Sequence, residues 1–154
     1  MLPCAPLRAL STVRPLPPTL AAYKWTTTID TRWEDQDNYG HINNVKYYSF
    51  FDTAVNRLLL QEGLLSLPPA PGAPIGFVVA SSCSFLAPLR FPTPVTVGVR
   101  VGRVGSSSVS YEVAVFAAGQ ACAAGSFTHA YVCSTSHRAQ PLPDVMRTAL
   151  LRLS

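Results

Sequence analysis

WEDQDNYGHINNVKYYSFFDTAVNRLLLQE, residues 33–62, reads as a polar loop running into one long amphipathic helix. The loop, Glu34 to Asn44, gathers three carboxylates, a histidine and three asparagines around one glycine, in a chain only 13% charged. From Asn44 onward Tyr47, Tyr48, Phe51, Ala54, Val55, Leu58 and Leu59 recur at steps of three and four, which puts them on one helical face. Lys46, Ser49, Thr53, Asn56 and Arg57 take the other face. Asn43 or Asn44 suits the N-cap, because a short amide side chain can accept from the orphan N–H groups of the first turn. Gly63 suits the position just past the helix end. A helix of about 19 residues runs roughly 28 Å, the width of a small domain.

The flanking sequence is strand-like. Tyr23 to Trp33 is rich in threonine and aromatics and reads as a first strand that delivers the chain to the polar loop. After the helix, Pro68 to Pro74 is a proline and glycine connector. Four strand segments follow: Phe77 to Leu86; the alternation Val95, Val97, Val99, Val101; the alternation Val109, Tyr111, Val113, Val115; and Ala121 to Cys133. Short turn signals separate the last three, which favours antiparallel pairing because parallel strands need long crossovers. The tail from His137 to Ser154 carries two prolines and then VMRTALLRL, a short helix or a frayed end. The expected architecture is α+β, one long central helix wrapped by a curved antiparallel sheet of about five strands. Such a sheet leaves an edge strand uncovered, and self-association into a homodimer or homotetramer satisfies it.

At 154 residues the chain is one domain, large enough to hold its core without a metal or disulfide. Cys4, Cys83, Cys122 and Cys133 form no CxxC pair, so neither a zinc site nor a redox dithiol is indicated. A net charge of +4 without a basic stripe interleaved with aromatics does not point to nucleic acid. No apolar run reaches the length of a membrane span. Residues 1–22 contain five prolines, Arg8 and Arg14 but no acidic residue. They read as a mitochondrial transit peptide or as an uncleaved extension, the latter going with a cytoplasmic protein. The expected folded domain is 23–136, with 137–154 as tail.

The string DQDNYGHINNVKYYSFFD resembles the hotdog-fold acyl-CoA thioesterases of the 4-hydroxybenzoyl-CoA thioesterase type. In that family a strand enters a loop patterned D, x, D, x, x, G, H, V or I, N, N and then the central helix; the pattern is met at Asp35, Asp37, Gly40, His41, Ile42, Asn43 and Asn44. FLAPLRFPTPVTVGVRVGRVGSSSVSYEV is similar to the family's later strand-turn-strand portion, so the likeness spans roughly residues 23–135. It departs at Pro92-Thr93-Pro94, where relatives often carry Gly-Asp. The resemblance implies a hotdog fold and hydrolysis of an acyl-CoA to free acid and CoA, with CoA as part of the substrate and no metal or bound cofactor. It assigns Asp37 as the catalytic carboxylate, His41 and Asn43 as residues orienting substrate or water, and the backbone N–H of Asn44 as the group that polarises the thioester carbonyl. Some relatives place the carboxylate on the helix, which makes Asp52 a secondary candidate. Tyr47, Tyr48 and Phe51 are the implied substrate groove, and Arg90, Arg100 and Arg103 are candidates for the CoA phosphates.

The chemistry of the residues is compatible with this assignment. Free N–H groups at a helix N-terminus, helped by the macrodipole, stabilise a developing oxyanion. A carboxylate delivered to that end can act as nucleophile or as general base to water. Each residue also has a plain structural role: Asp35 and Asp37 as favourable charges near a positive helix end, His41 as a loop brace, Asn43 and Asn44 as caps, Asp52 as a solvated carboxylate. Ser106 to Ser108 lack a GxSxG context and fit a hairpin turn, and His129 and His137 stand alone without an assigned role. Two other readings stay open. A hotdog hydratase or dehydratase would use the same histidine and carboxylate on an enoyl thioester, and a non-catalytic acyl-CoA or acyl carrier binding module would keep only the groove.

Overall fold

The computed structural model describes residues 17–154, so most of the leader segment lies outside the described residues. Helix α1 spans Asn44–Gln61 and is capped by Asn43, whose side chain accepts from the Val45 N–H. It ends at Glu62, and Gly63 follows with φ of 67°. Its buried face is Tyr47, Phe50, Phe51, Ala54, Val55, Leu58 and Leu59. Phe50 thus joins the expected stripe, and Tyr48 is only half-buried.

Five strands form one sheet: β1 (Trp25–Ile29), β2 (Pro74–Phe85), β3 (Val95–Val104), β4 (Ser108–Ala117) and β5 (Gln120–Cys133). Their order is β1-β3-β4-β5-β2, with every neighbouring pair antiparallel. β1 is shorter than the sequence suggests, because Trp33–Asp35 turns as a 3₁₀ segment that redirects the chain into the polar loop. β2 starts at Pro74, inside the expected connector, where a strand's first residue tolerates the missing N–H.

The alternation of β3 and β4 explains how the helix is seated. Val95, Val97, Val99 and Val101 of β3 and Val109, Tyr111, Val113 and Val115 of β4 are all buried, in one cluster with the apolar face of α1. Each such side chain contributes about 1.5–3 kcal/mol by leaving water. This is the helix-wrapped arrangement expected of a hotdog fold. On the opposite face of the sheet, Tyr23 stands edge-on to Phe116 at 5.7 Å, and the Arg100 guanidinium lies 5.7 Å from the Tyr23 ring centroid.

The tail is helical. Helix α2, Asp144–Arg152, sends Met146, Ala149 and Leu150 into the core, and the Val101 N–H donates to the Leu153 carbonyl. The sheet has two edges, β1 and β2; among the described residues β2 pairs with β5 alone and leaves Phe77, Val78, Val79 and Phe85 in solvent.

Candidate active site

The polar loop is held by its own backbone and one buried carboxylate. Asp35 is 1% exposed and accepts from the Arg32 N–H at 2.7 Å, from the Arg32 guanidinium at 3.2 Å and from the Lys46 ammonium at 3.3 Å. Its carbonyl accepts from the Asn43 N–H at 2.8 Å, which ties the loop to the helix start. Burial raises the Asp35 pKa, but the Arg32 and Lys46 donors outweigh it and the net shift is downward.

Two residues later the chain makes a tight turn. The Gly40 N–H donates to the Asp37 carbonyl at 3.1 Å, and Gly40 takes φ of 73°, a conformation that strains a residue with a Cβ. Asp37 Oδ1 accepts from the N–H groups of Tyr39 at 2.8 Å and His41 at 3.3 Å. Its second oxygen, Oδ2, accepts from no group among the described residues. His41 Nε2 lies 2.9 Å from Arg90 Nη2. A guanidinium only donates, so Nε2 is the acceptor and the imidazole proton sits on Nδ1.

The approach to α1 and its first turn spend nearly all of their donors. Ile42 N–H goes to the Leu89 carbonyl, Asn43 N–H to Asp35, Val45 N–H to the Asn43 side chain and Lys46 N–H to the Asn43 carbonyl. Asn44 N–H is left without an acceptor among the described residues. Asn44 and Asp37 line one cleft of about 370 Å³ together with His41, Ile42, Tyr47 and the run Phe85 to Pro88 at the end of β2. Asp37, with a free carboxylate oxygen, and Asn44, with a free N–H at a positive helix end, therefore both line one open space.

The sequence of residues 31–150 matches the thioesterase-like superfamily. The chain belongs to that superfamily. Thioester hydrolysis is the reaction class that this membership supports. Among solved structures, the chain is similar to the PA5185 protein from Pseudomonas aeruginosa strain PAO1, at 46% identity over 90% of this chain and 96% of that one, with a TM-score of 0.83. It shares its fold with a 1,4-dihydroxy-2-naphthoyl-CoA thioesterase from Synechocystis, at 19% identity over 83% and 96% of the two chains and a TM-score of 0.74. A gentisyl-coenzyme A thioesterase gives 21% identity over 82% and 99%, again with a TM-score of 0.74. Among proteins of curated function none matches the sequence.

Set on this superfamily fold, Asp37, His41, Asn44 and Tyr47 come together at the cleft, and Asn43 lies behind it as the helix cap. Other expected site residues lie elsewhere. Phe51 is wholly buried in the core, and Tyr48 packs edge-on to it at 6.2 Å, so neither lines the cleft. Asp52 is exposed two turns along α1, where Asn56 Nδ2 donates to its carbonyl at 2.9 Å and to Oδ1 at 3.1 Å. Of the candidate arginines Arg90, Arg100 and Arg103, Arg90 alone bonds to a cleft residue; Arg100 is held by Glu112 on the outer face of the sheet. The cleft wall from Phe85 to Pro88 was not singled out in the sequence as site-forming; the FLAP string that precedes Arg90 is its only local signal. Among the described residues, no group of three or more His, Cys, Asp and Glu side chains is placed to hold a metal ion.

Proposed function

We propose that this protein hydrolyses acyl-CoA thioesters to free acid and CoA, with Asp37 as nucleophile or general base and the Asn44 N–H polarising the thioester carbonyl. The observation that carries this reading is that Asp37, which has an unspent carboxylate oxygen, and Asn44, which has an unspent backbone N–H, line the same cleft. The carbonyl oxygen accepts from Asn44, where the helix dipole favours the charge that develops as the carbon becomes tetrahedral. In the general-base route a water oxygen bonds to that carbon while Asp37 takes its proton; the C–S bond then breaks and the thiolate leaves as CoA after protonation. In the nucleophilic route Asp37 itself bonds to the carbon, CoA leaves, and water cleaves the resulting anhydride. His41 orients substrate or water, and Arg90, bonded to its Nε2, fixes the ring.

Tyr47, edge-on to Phe85 at 5.1 Å, gives the cleft an apolar wall for the acyl group. Two proteins of the same fold carry names for hydroxylated aromatic acyl-CoA substrates, so such thioesters belong in the panel beside straight chains. Free-thiol release from that panel is the deciding assay. Hydration of an enoyl-CoA without thiol release would replace this reading with a hydratase, and acyl-CoA binding without turnover would replace it with a binding module.

Arg90→Ala is expected to lower kcat/KM about tenfold by freeing the His41 ring, with little change in melting temperature because Arg90 is exposed. Steady-state kinetics beside a thermal melt checks this, and unaltered kcat/KM would remove His41 orientation from the mechanism.

We further infer that two copies associate through β2, whose free edge carries exposed Phe77, Val78 and Val79. Val79, 61% exposed, lies at the break in the β2–β5 register between Val78 and Ala80. Val79→Asp is expected to shift the protein to monomer in light scattering, because a charge in a paired edge is left desolvated. An unchanged oligomer mass would put the contact elsewhere.

A further inference from the structure

A second cavity, of about 230 Å³, lies at the other end of α1. Asn56 and Leu59 of the helix, Leu64, Leu65 and Leu67 of the segment after it, the start of β2 at Pro74 to Gly76, and His129 and Tyr131 of β5 enclose it. Nine residue positions separate Tyr47, at the first cleft, from Asn56, a rise of about 14 Å, too far for one single-ring molecule to bridge.

His129 is the anomaly of this cavity. It is 2% exposed, and neither ring nitrogen has a hydrogen-bond partner among the described residues. Buried polar groups in folded proteins are nearly always paired, and leaving one unpaired costs about 1–3 kcal/mol. The ring is gripped edge-on by Tyr111 at 5.4 Å, Phe127 at 5.7 Å and Tyr131 at 6.1 Å. β2 makes room for it at Gly76, where a Cβ would fall 2.7 Å from His129 Nδ1. The neighbouring phenols cannot relieve it freely, since the Tyr111 and Tyr131 hydroxyls are bonded to each other at 2.8 Å. Burial lowers the His129 pKa, with the charge of Asp52 acting the other way, and the net result is a neutral ring at physiological pH. A neutral imidazole offers one N–H and one lone pair.

We propose that this cavity is a ligand site separate from the thioester cleft, taking a neutral, mostly apolar molecule of single-ring size whose hydroxyl group bonds to His129. The size follows from volume, since a cavity of about 150 Å³ lined by apolar side chains already holds benzene. The neutrality follows from the lining, which among the described residues contains no lysine or arginine to pair with a carboxylate or phosphate. The hydroxyl follows from the imidazole, since one hydroxyl can either accept from its N–H or donate to its lone pair. Asn56 supplies a polar side chain at the helix wall. The site does not depend on the reaction assigned to the first cleft.

The test is calorimetric titration of the wild-type chain with p-cresol and with toluene, joined to ¹⁵N spectra of the histidine side chains. The expected result is one p-cresol per chain, toluene weaker by at least about tenfold, and a shift of the His129 nitrogen resonances on p-cresol addition. His129→Leu should remove the preference for p-cresol, and Asp37→Asn should leave it unchanged. Equal affinity for the two probes, p-cresol binding that survives His129→Leu with its preference intact, or no binding and unshifted His129 resonances at millimolar p-cresol would each overturn the proposal, the last meaning that the cavity holds water only. The wild-type spectra decide the matter even where His129→Leu folds poorly.

Discussion

Asp37→Asn is expected to lower kcat/KM for acyl-CoA hydrolysis about a thousandfold, a loss of roughly 4 kcal/mol of transition-state stabilisation. Asparagine is the informative replacement because its Oδ1 still accepts from the Tyr39 and His41 N–H groups. The turn therefore keeps its shape, and the melting temperature should move by only about 2 °C or less. What disappears is the anionic Oδ2, which alone can attack the carbonyl or take a proton from water. Asp37→Ala removes the turn bonds as well, so it should add a stability loss of about 1 kcal/mol to the same catalytic defect. Residual activity should persist in both, because the Asn44 N–H is a backbone group that neither change touches. Asp52→Asn, by contrast, should leave kcat/KM within about twofold, since Asp52 is exposed, bonded by Asn56 and off the cleft. The measurement is free-thiol release for all three variants beside light scattering and thermal melts. Wild-type turnover in a folded Asp37→Asn protein would remove this carboxylate from the mechanism, and a loss in Asp52→Asn instead would move the role to Asp52.

The elements that were legible in the sequence are those fixed by local rules. The helix showed itself through its period and its Asn43 cap, and β3 and β4 through strict alternation, because each signal depends only on neighbours along the chain. The DxDxxGHINN loop was legible for the same reason, its turn, cap and carboxylates lying within ten residues. Periodicity places a residue on a face but does not say what that face meets. Phe51 shows this: it lies on the apolar stripe as expected, yet it fills the core beneath β3 and β4 and does not reach the cleft. Arg90 shows a second limit, since its bond to His41 joins residues 49 apart and depends on the turn closed by the Thr93 N–H and Arg90 carbonyl. The exposed valines of β2 read as an ordinary strand, and only the order β1-β3-β4-β5-β2 makes that strand an edge. His129 had no signal at all, because its environment comes from α1, β2 and β5 at once.

Asp35→Ala is expected to cost about 3 kcal/mol of stability, seen as a fall in melting temperature of roughly 6–12 °C. The carboxylate is the buried member of a cluster whose cations reach solvent, Lys46 with 27% and Arg32 with 62% of their side chains exposed. Those cations can rehydrate when their partner is removed, which keeps the loss at the lower end of the range for a broken buried ion pair. The Arg32 N–H cannot move away so easily, and it loses a bond to a charged acceptor. Acid should have the same effect on the wild type. Because the folded pKa of Asp35 is depressed, its contribution is complete above its unfolded value of about 3.9 and is lost as pH falls through the folded value. The melting-temperature gap between wild type and Asp35→Asn should thus stay constant from about pH 8 to 5 and narrow below about pH 4. A gap that widened in acid would mean that burial outweighs the Arg32 and Lys46 donors and that the folded carboxyl is the weaker acid. Since the Asp35 carbonyl also anchors the Asn43 N–H, collapse of this cluster would be felt at the helix start, where Asn44 lines the cleft.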